Sequence, residues 1–277
     1  MNLPNHIEEA VAYIRTQNNT SPKIGLILGS GLGSLADEIN DASRIPFADI
    51  PNFSRPTVEG HAGQFVFGQL EKQSVVALQG RLHYYEGHDM QTLTLPVRVM
   101  RALGVEIMIV TNACGGIRPD LTTGSLMFIS DHINFMGSNP LMGYNTEALG
   151  PRFPDMSEAY DQTLISLGEK VAAALNIDTH RGVYTGVSGP YYFSRAELRM
   201  VKNFGSDAIG MSTVPEVIVA RHAGIRVLGI SCITDIADPD QEMKPLTHKA
   251  VLAVAASVRP KFKALIKGIL ASLSDNR

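Results

Sequence analysis

Cysteine is scarce in this chain: Cys114 and Cys232 stand alone among 277 residues. Two thiols make no disulfide framework, and their separation fits no metal-ligand spacing, so both are expected as small buried hydrophobes. No segment reaches the roughly 18 apolar residues of a membrane span. The amino terminus is acidic early and lacks an apolar core of signal-peptide length, so the expected location is cytoplasmic. There is no long basic run either, and the net charge of −3 argues against nucleic acid as a main partner. No Pro/Ser-rich linker, charge block or internal repeat divides the sequence, which reads as a single domain over residues 1–277.

The 44% hydrophobic content is enough to bury a large core. Apolar runs suited to buried strands fall at 24–28, 74–78, 106–111, 125–129, 182–187 and 225–233. Helical patterns fall at 91–103, 157–175, 194–204, 214–223 and 247–272. Strands alternating with helices predict an α/β fold, a sheet with helices on both faces. Two long segments rich in Gly, Pro and Asn read as functional loops: 134–156, and 51–63, a candidate lid that ends Gly60-His61-Ala62-Gly63.

The first strand runs into Gly29-Ser30-Gly31-Leu32-Gly33, a glycine turn expected to open a helix. Such a turn lets backbone N–H groups approach an oxyanion, and Ser30 adds a hydroxyl donor. After the run 74–78 comes Gln79-Gly80-Arg81-Leu82-His83. If strand geometry continues there, Arg81 and His83 project from one face and offer a guanidinium fork and an imidazole to a tetrahedral dianion. Glu86 is placed to hold His83 as a donor. Taken singly, each motif also fits a bland role, a tight turn or a solvated surface pair.

The strand ends carry Thr111-Asn112-Ala113-Cys114-Gly115-Gly116, Gly210-Met211-Ser212-Thr213-Val214-Pro215-Glu216-Val217 and Ile233-Thr234-Asp235. With the glycine turn, Gly60-His61-Ala62-Gly63 and Gly80-Arg81-Leu82-His83-Tyr84-Tyr85-Glu86-Gly87, this ordered set closely resembles the trimeric purine nucleoside phosphorylases, from about Lys23 to the C-terminal helix. The resemblance implies a twisted mixed sheet flanked by helices, a homotrimer with 134–156 near the subunit contact, and no metal or organic cofactor, inorganic phosphate being a substrate. By the same resemblance, phosphate is held by Ser30, Arg81, His83, the backbone N–H of Ala113 and Ser212. The ribose is lined by Tyr85, Met211 and His248, and the base by Tyr192, Phe193, Ile209 and Asp235. The catalytic pair is His83 and Asp235. The implied partners are a purine nucleoside and phosphate, with no nucleic acid and no membrane. The implied reaction is phosphorolysis to free purine and ribose 1-phosphate.

Two positions depart from the 6-oxopurine-specific pattern, which has a glutamate where Phe193 stands and an asparagine where Asp235 stands. An N1–H donor facing Phe193 loses its acceptor, at a cost on the order of 1–3 kcal/mol. Adenine has no N1 proton and an apolar C2–H, so Phe193 costs it less. A neutral Asp235 carboxyl accepts from a 6-amino group and donates to N7. The expectation is a preference for 6-aminopurine nucleosides. Ser194-Arg195-Ala196-Glu197 and Ala113-Cys114-Gly115 are similar to methylthioadenosine phosphorylases, the alternative assignment, whereas Ser30, Arg81, His83 and Ser212-Thr213-Val214 keep the nucleoside-phosphorylase form. Leu149 stands where the family often has an aromatic that reaches a neighbouring subunit's site. A nucleoside hydrolase and a non-catalytic purine binder are the further readings, and neither explains four anion-binding side chains as well.

Overall fold

In the computed structural model, residues 2–58, 60–241 and 246–274 are described. The fold is organised around β5 (Ile107–Gly116), a strand long enough to serve three neighbours. Its first half pairs in parallel with β1 (Ile24–Leu28), through Ile107 to Val110. Its last two residues, Gly115 and Gly116, pair antiparallel with β8 (Ala208–Gly210) on Ile209 and Ala208. The whole length of β5 is matched by the parallel strand β9 (Arg226–Ile236). Between Val110 and Gly115 the ladders to β1 and β8 leave an opening, and Thr111, Asn112, Ala113 and Cys114 occupy it.

β1 carries the sheet outward through β4 (Gln73–Gln79), β3 (Gln64–Leu70) and β2 (Asn40–Pro46). On the other side β8 leads through β7 (Thr179–Val187) and β6 (Leu126–Phe135) back to β9. Because β9 also pairs with β5, those five strands close on themselves, a local barrel attached to an open mixed sheet. β1 is buried along all five residues and β9 along most of its length. A strand covered on both faces needs a continuous apolar run and no alternation, which is why these two stand out in the sequence.

Two groups of helices cover the sheet. α1 (Leu3–Gln17), α2 (Met90–Leu103) and α5 (Val214–His222) pack together, and α3 (Gln162–Ala174) packs on α6 (His248–Ser274). α4 (Arg195–Asn203) begins at a capping box in which Ser194 and Glu197 satisfy each other's backbone N–H groups. None of the helices among the described residues is long and apolar enough to cross a membrane.

The α/β expectation holds, with local corrections. The glycine turn opens only a six-residue 3₁₀ segment, Gly33–Glu38, in place of a full helix. α3 starts at Gln162, not 157, because the Asp161 side chain caps it by accepting from the Thr163 and Leu164 N–H groups. β6 runs on to Phe135 and α3 begins at Gln162, so the loop expected over 134–156 runs instead over 136–161, with one 3₁₀ turn at Glu147–Leu149. α1, β2, β3 and β8 were absent from the predicted elements.

Candidate active site

β4 ends at Gln79, so Arg81 and His83 are not on a continuing strand. Gly80 turns the chain with φ +89°, and a Cβ there would lie 2.7 Å from the His61 Cα. Only glycine fits that close approach. The turn folds both side chains inward all the same: Arg81 is 2% and His83 7% exposed.

Ser30, Arg81, His83 and Ser212 are joined by a continuous set of contacts, with His61 and Thr213 as the links. His61 Nε2 lies 3.1 Å from Ser30 Oγ, and its Nδ1 lies 2.9 Å from both the N–H and the carbonyl oxygen of Arg81. Its ring sits 5.1 Å from that of His83, which stacks on Tyr85 at 4.8 Å. Burial, with the charges of His83 and Arg81 beside it, pulls the His61 pKa down to about 4. The ring is therefore neutral at pH 7, with one donor and one acceptor to share between Ser30 and Arg81.

Thr213 Oγ1 accepts from Asn112 Nδ2 at 2.9 Å, lies 3.3 Å from an Arg81 guanidinium nitrogen and 3.2 Å from Ser212 Oγ. Its backbone sits at φ +72°, the left-handed region, where a β-branched residue pays on the order of 1–3 kcal/mol in strain. That turn puts Ser212 beside Arg81 and beside the β5 opening that holds Ala113. Arg81 is also engaged from behind by Glu216 Oε1 at 3.2 Å, both side chains nearly inaccessible, and by the Thr111 carbonyl oxygen. The guanidinium is thus fixed in position and is not turned out to solvent.

Glu86 reaches His83 as the sequence suggested. Its Oε1 accepts from the His83 N–H at 2.6 Å and lies 3.3 Å from His83 Nδ1. Burial alone would raise this carboxyl, but hydrogen bonds from His83 and Thr57 outweigh it and hold the pKa at about 2.

The remaining candidates border this cluster. Gly189, at φ +67°, is wedged between Met211 and Tyr85: a Cβ there would fall 2.5 Å from the Met211 Sδ and 3.1 Å from the Tyr85 ring. Ile209, Met211 and Phe193 share a small apolar cluster with Val187, Leu198 and Ala237. Tyr192 is 49% exposed, and burial, with Asp235 nearby, raises its phenol pKa. Asp235 pairs in register with Gly115 and accepts from the Thr234 hydroxyl at 3.0 Å. Burial raises its pKa, with the Thr234 bond opposing in part. His248 is not brought in. It is exposed at the first residue of α6, and among the described residues no hydrogen bond or ion pair joins it to the others.

Sequence reasoning noted the motifs containing His61, Thr213 and Glu216 but gave these residues no role, because their work is to hold other side chains. Both cysteines are buried, as expected. Among the described residues no group of three His, Cys, Asp or Glu side chains is placed to hold a metal. Two cavities of about 650 and 570 Å³ lie elsewhere, against Arg98 and His222, and no candidate residue lines them.

What the arrangement can do is offer two hydroxyls, a guanidinium and an imidazole to a small dianion, with Tyr85 and Met211 bordering them. The family model of the phosphorylase superfamily matches residues 23–271. The chain is 56% identical over 269 residues to purine nucleoside phosphorylase 1 of Bacillus subtilis (strain 168), covering 97% of this chain and 99% of that one. Schistosoma mansoni purine nucleoside phosphorylase in complex with adenosine superposes with a TM-score of 0.92 at 41% identity, covering 97% of each chain. The same enzyme in complex with inosine gives 0.90 at 40%, covering 96% of each.

Proposed function

The chain belongs to the phosphorylase superfamily, and we propose from that premise that it is a purine nucleoside phosphorylase, a pentosyltransferase that hands the sugar of a purine nucleoside to inorganic phosphate. The observation that carries the reading is the contact network from Ser30 through His61 to Arg81 and His83, and from Arg81 through Thr213 to Ser212. A hydrolase has no use for four anion-binding side chains converging on one spot.

In the reaction a phosphate oxygen forms a bond to C1′ while the bond from C1′ to N9 breaks, and the electron pair leaves on the purine. The sugar passes through oxocarbenium character. Holding the anion beneath C1′ can contribute as much as about 7–11 kcal/mol. Asp235, whose carboxyl burial makes easier to protonate, donates its proton toward N7 as charge builds on the leaving base. Tyr85 and Met211 flank the sugar, and Tyr192, Ile209 and Phe193 the base.

The same Asp235, with apolar Phe193 opposite, supports a preference for 6-aminopurine nucleosides, adenosine or 5′-methylthioadenosine, over inosine and guanosine. Steady-state rates on those four, with and without phosphate, test both statements. Cleavage is expected only with phosphate, and faster for the 6-amino pair. Turnover in water alone would overturn the reaction, and faster inosine or guanosine cleavage would overturn the base preference. A homotrimer is part of the reading. The apolar residues Met142, Tyr144 and Phe153, exposed on the loop after β6, support a subunit contact there.

A further inference from the structure

We propose that Thr57 is a positioning residue for phosphate, which acts through Glu86 to hold His83 and so makes the phosphate grip depend on docking of the 51–63 loop. This rests on the reading that His83 is a phosphate ligand. The Glu86 carboxylate is a two-sided clasp. Oε2 accepts from the Thr57 N–H at 2.6 Å and from the Thr57 hydroxyl at 2.7 Å, while Oε1 accepts from the His83 N–H at 2.6 Å and faces His83 Nδ1. One oxygen belongs to the loop and the other to the segment that grips the anion, 29 residues further along the chain.

The Glu86 side chain is only 2% exposed, so neither oxygen has solvent to fall back on. A buried carboxylate short of donors is expensive, and removing the Thr57 hydroxyl leaves Oε2 only the Thr57 N–H on the loop side, so the His83 side must carry more of the charge. The ring of His83 then loses its fixed rotation, in which Nδ1 faces the carboxylate and the other nitrogen is turned away from it. His61, from the same loop, contacts Ser30 and Arg81. The loop therefore reaches the Ser30 side chain and the Arg81 backbone through His61, and His83 through Thr57 and Glu86.

The test compares Thr57→Val, which keeps the branched shape and removes the hydroxyl, with Thr57→Ser, which restores it. Thr57→Val is expected to raise KM for phosphate about tenfold, the loss of one hydrogen bond to a charged group, with a much smaller change in KM for nucleoside. Thr57→Ser should return to within about twofold of the parent. Glu86→Gln should give the same rise, and the double variant no further rise, since the two residues act along one path. Nitrogen NMR of histidine-labelled enzyme, without phosphate, should move the His83 Nδ1 resonance in Thr57→Val and leave it in place in Thr57→Ser. That readout does not depend on activity, so it separates failure of the coupling from failure of the phosphorylase reading. Equal effects of valine and serine, a parallel rise in both KM values, or an unmoved His83 resonance would each overturn the proposal.

Discussion

In the proposed reading, base selectivity turns on the protonation of Asp235. Its neutral form is the acid form, and burial keeps the proton on to higher pH than an ordinary aspartate. Activity on adenosine should therefore fall as pH rises through that raised pKa. Asp235→Asn should remove this alkaline limb, lower adenosine turnover and relatively favour inosine, as pH–rate profiles on the two substrates would reveal; unchanged selectivity would take Asp235 out of base reading. Glu216 poses the opposite problem, a charge that stays buried because Arg81 pairs with it. Glu216→Ala leaves that guanidinium uncompensated and should lower stability by about 3–5 kcal/mol in denaturant titration. Phosphate should then recover part of the loss, since it supplies the missing negative charge.

Among the elements, the junctions matter more than the strands they join. The step from β4 into the segment that carries Arg81 and His83 depends on Gly80, where any side chain meets both a left-handed backbone and the His61 backbone. Gly80→Ala should raise KM for phosphate more than KM for nucleoside, because it displaces the loop that carries His61 while leaving the base slot alone; equal rises would count against this. The sequence signalled such junctions unevenly. Glycine clusters marked where the chain turns, yet the expected continuation of β4 through His83 proved wrong. Arg81 and His83 converge because the chain leaves the sheet, and alternation along a strand contains no information about that. β8 has three residues, too few for any periodicity to register. α1 had a legible stripe, with Leu3, Ile7, Ala10 and Ile14 buried at helical spacing.

For the whole molecule, the exposed Met142, Tyr144 and Phe153 are the largest departure from an ordinary monomer surface among the described residues. Light scattering of the parent should give three copies, and replacing Tyr144 and Phe153 with serine should shift the distribution toward smaller species. A monomeric parent would end the trimer reading.

The amino-acid sequence by itself determined the α/β class, the strands buried on both faces and the candidates Ser30, Arg81 and His83 for an anion site. Those properties follow from local apolar runs, from glycine at turns and from the chemistry of serine, arginine and histidine. Only the tertiary structure decided how they are held: His61 between Ser30 and Arg81, Thr213 between Ser212 and Arg81, Glu216 behind the guanidinium, Glu86 between two segments. It also left His248 at the surface. The Thr213 and Glu216 contacts lie against the opening in β5, whereas those of His61 and Glu86 tie the 51–63 loop to the segments after β1 and β4, and a hydrogen bond between residues far apart in the chain exists only once the fold has set their distance.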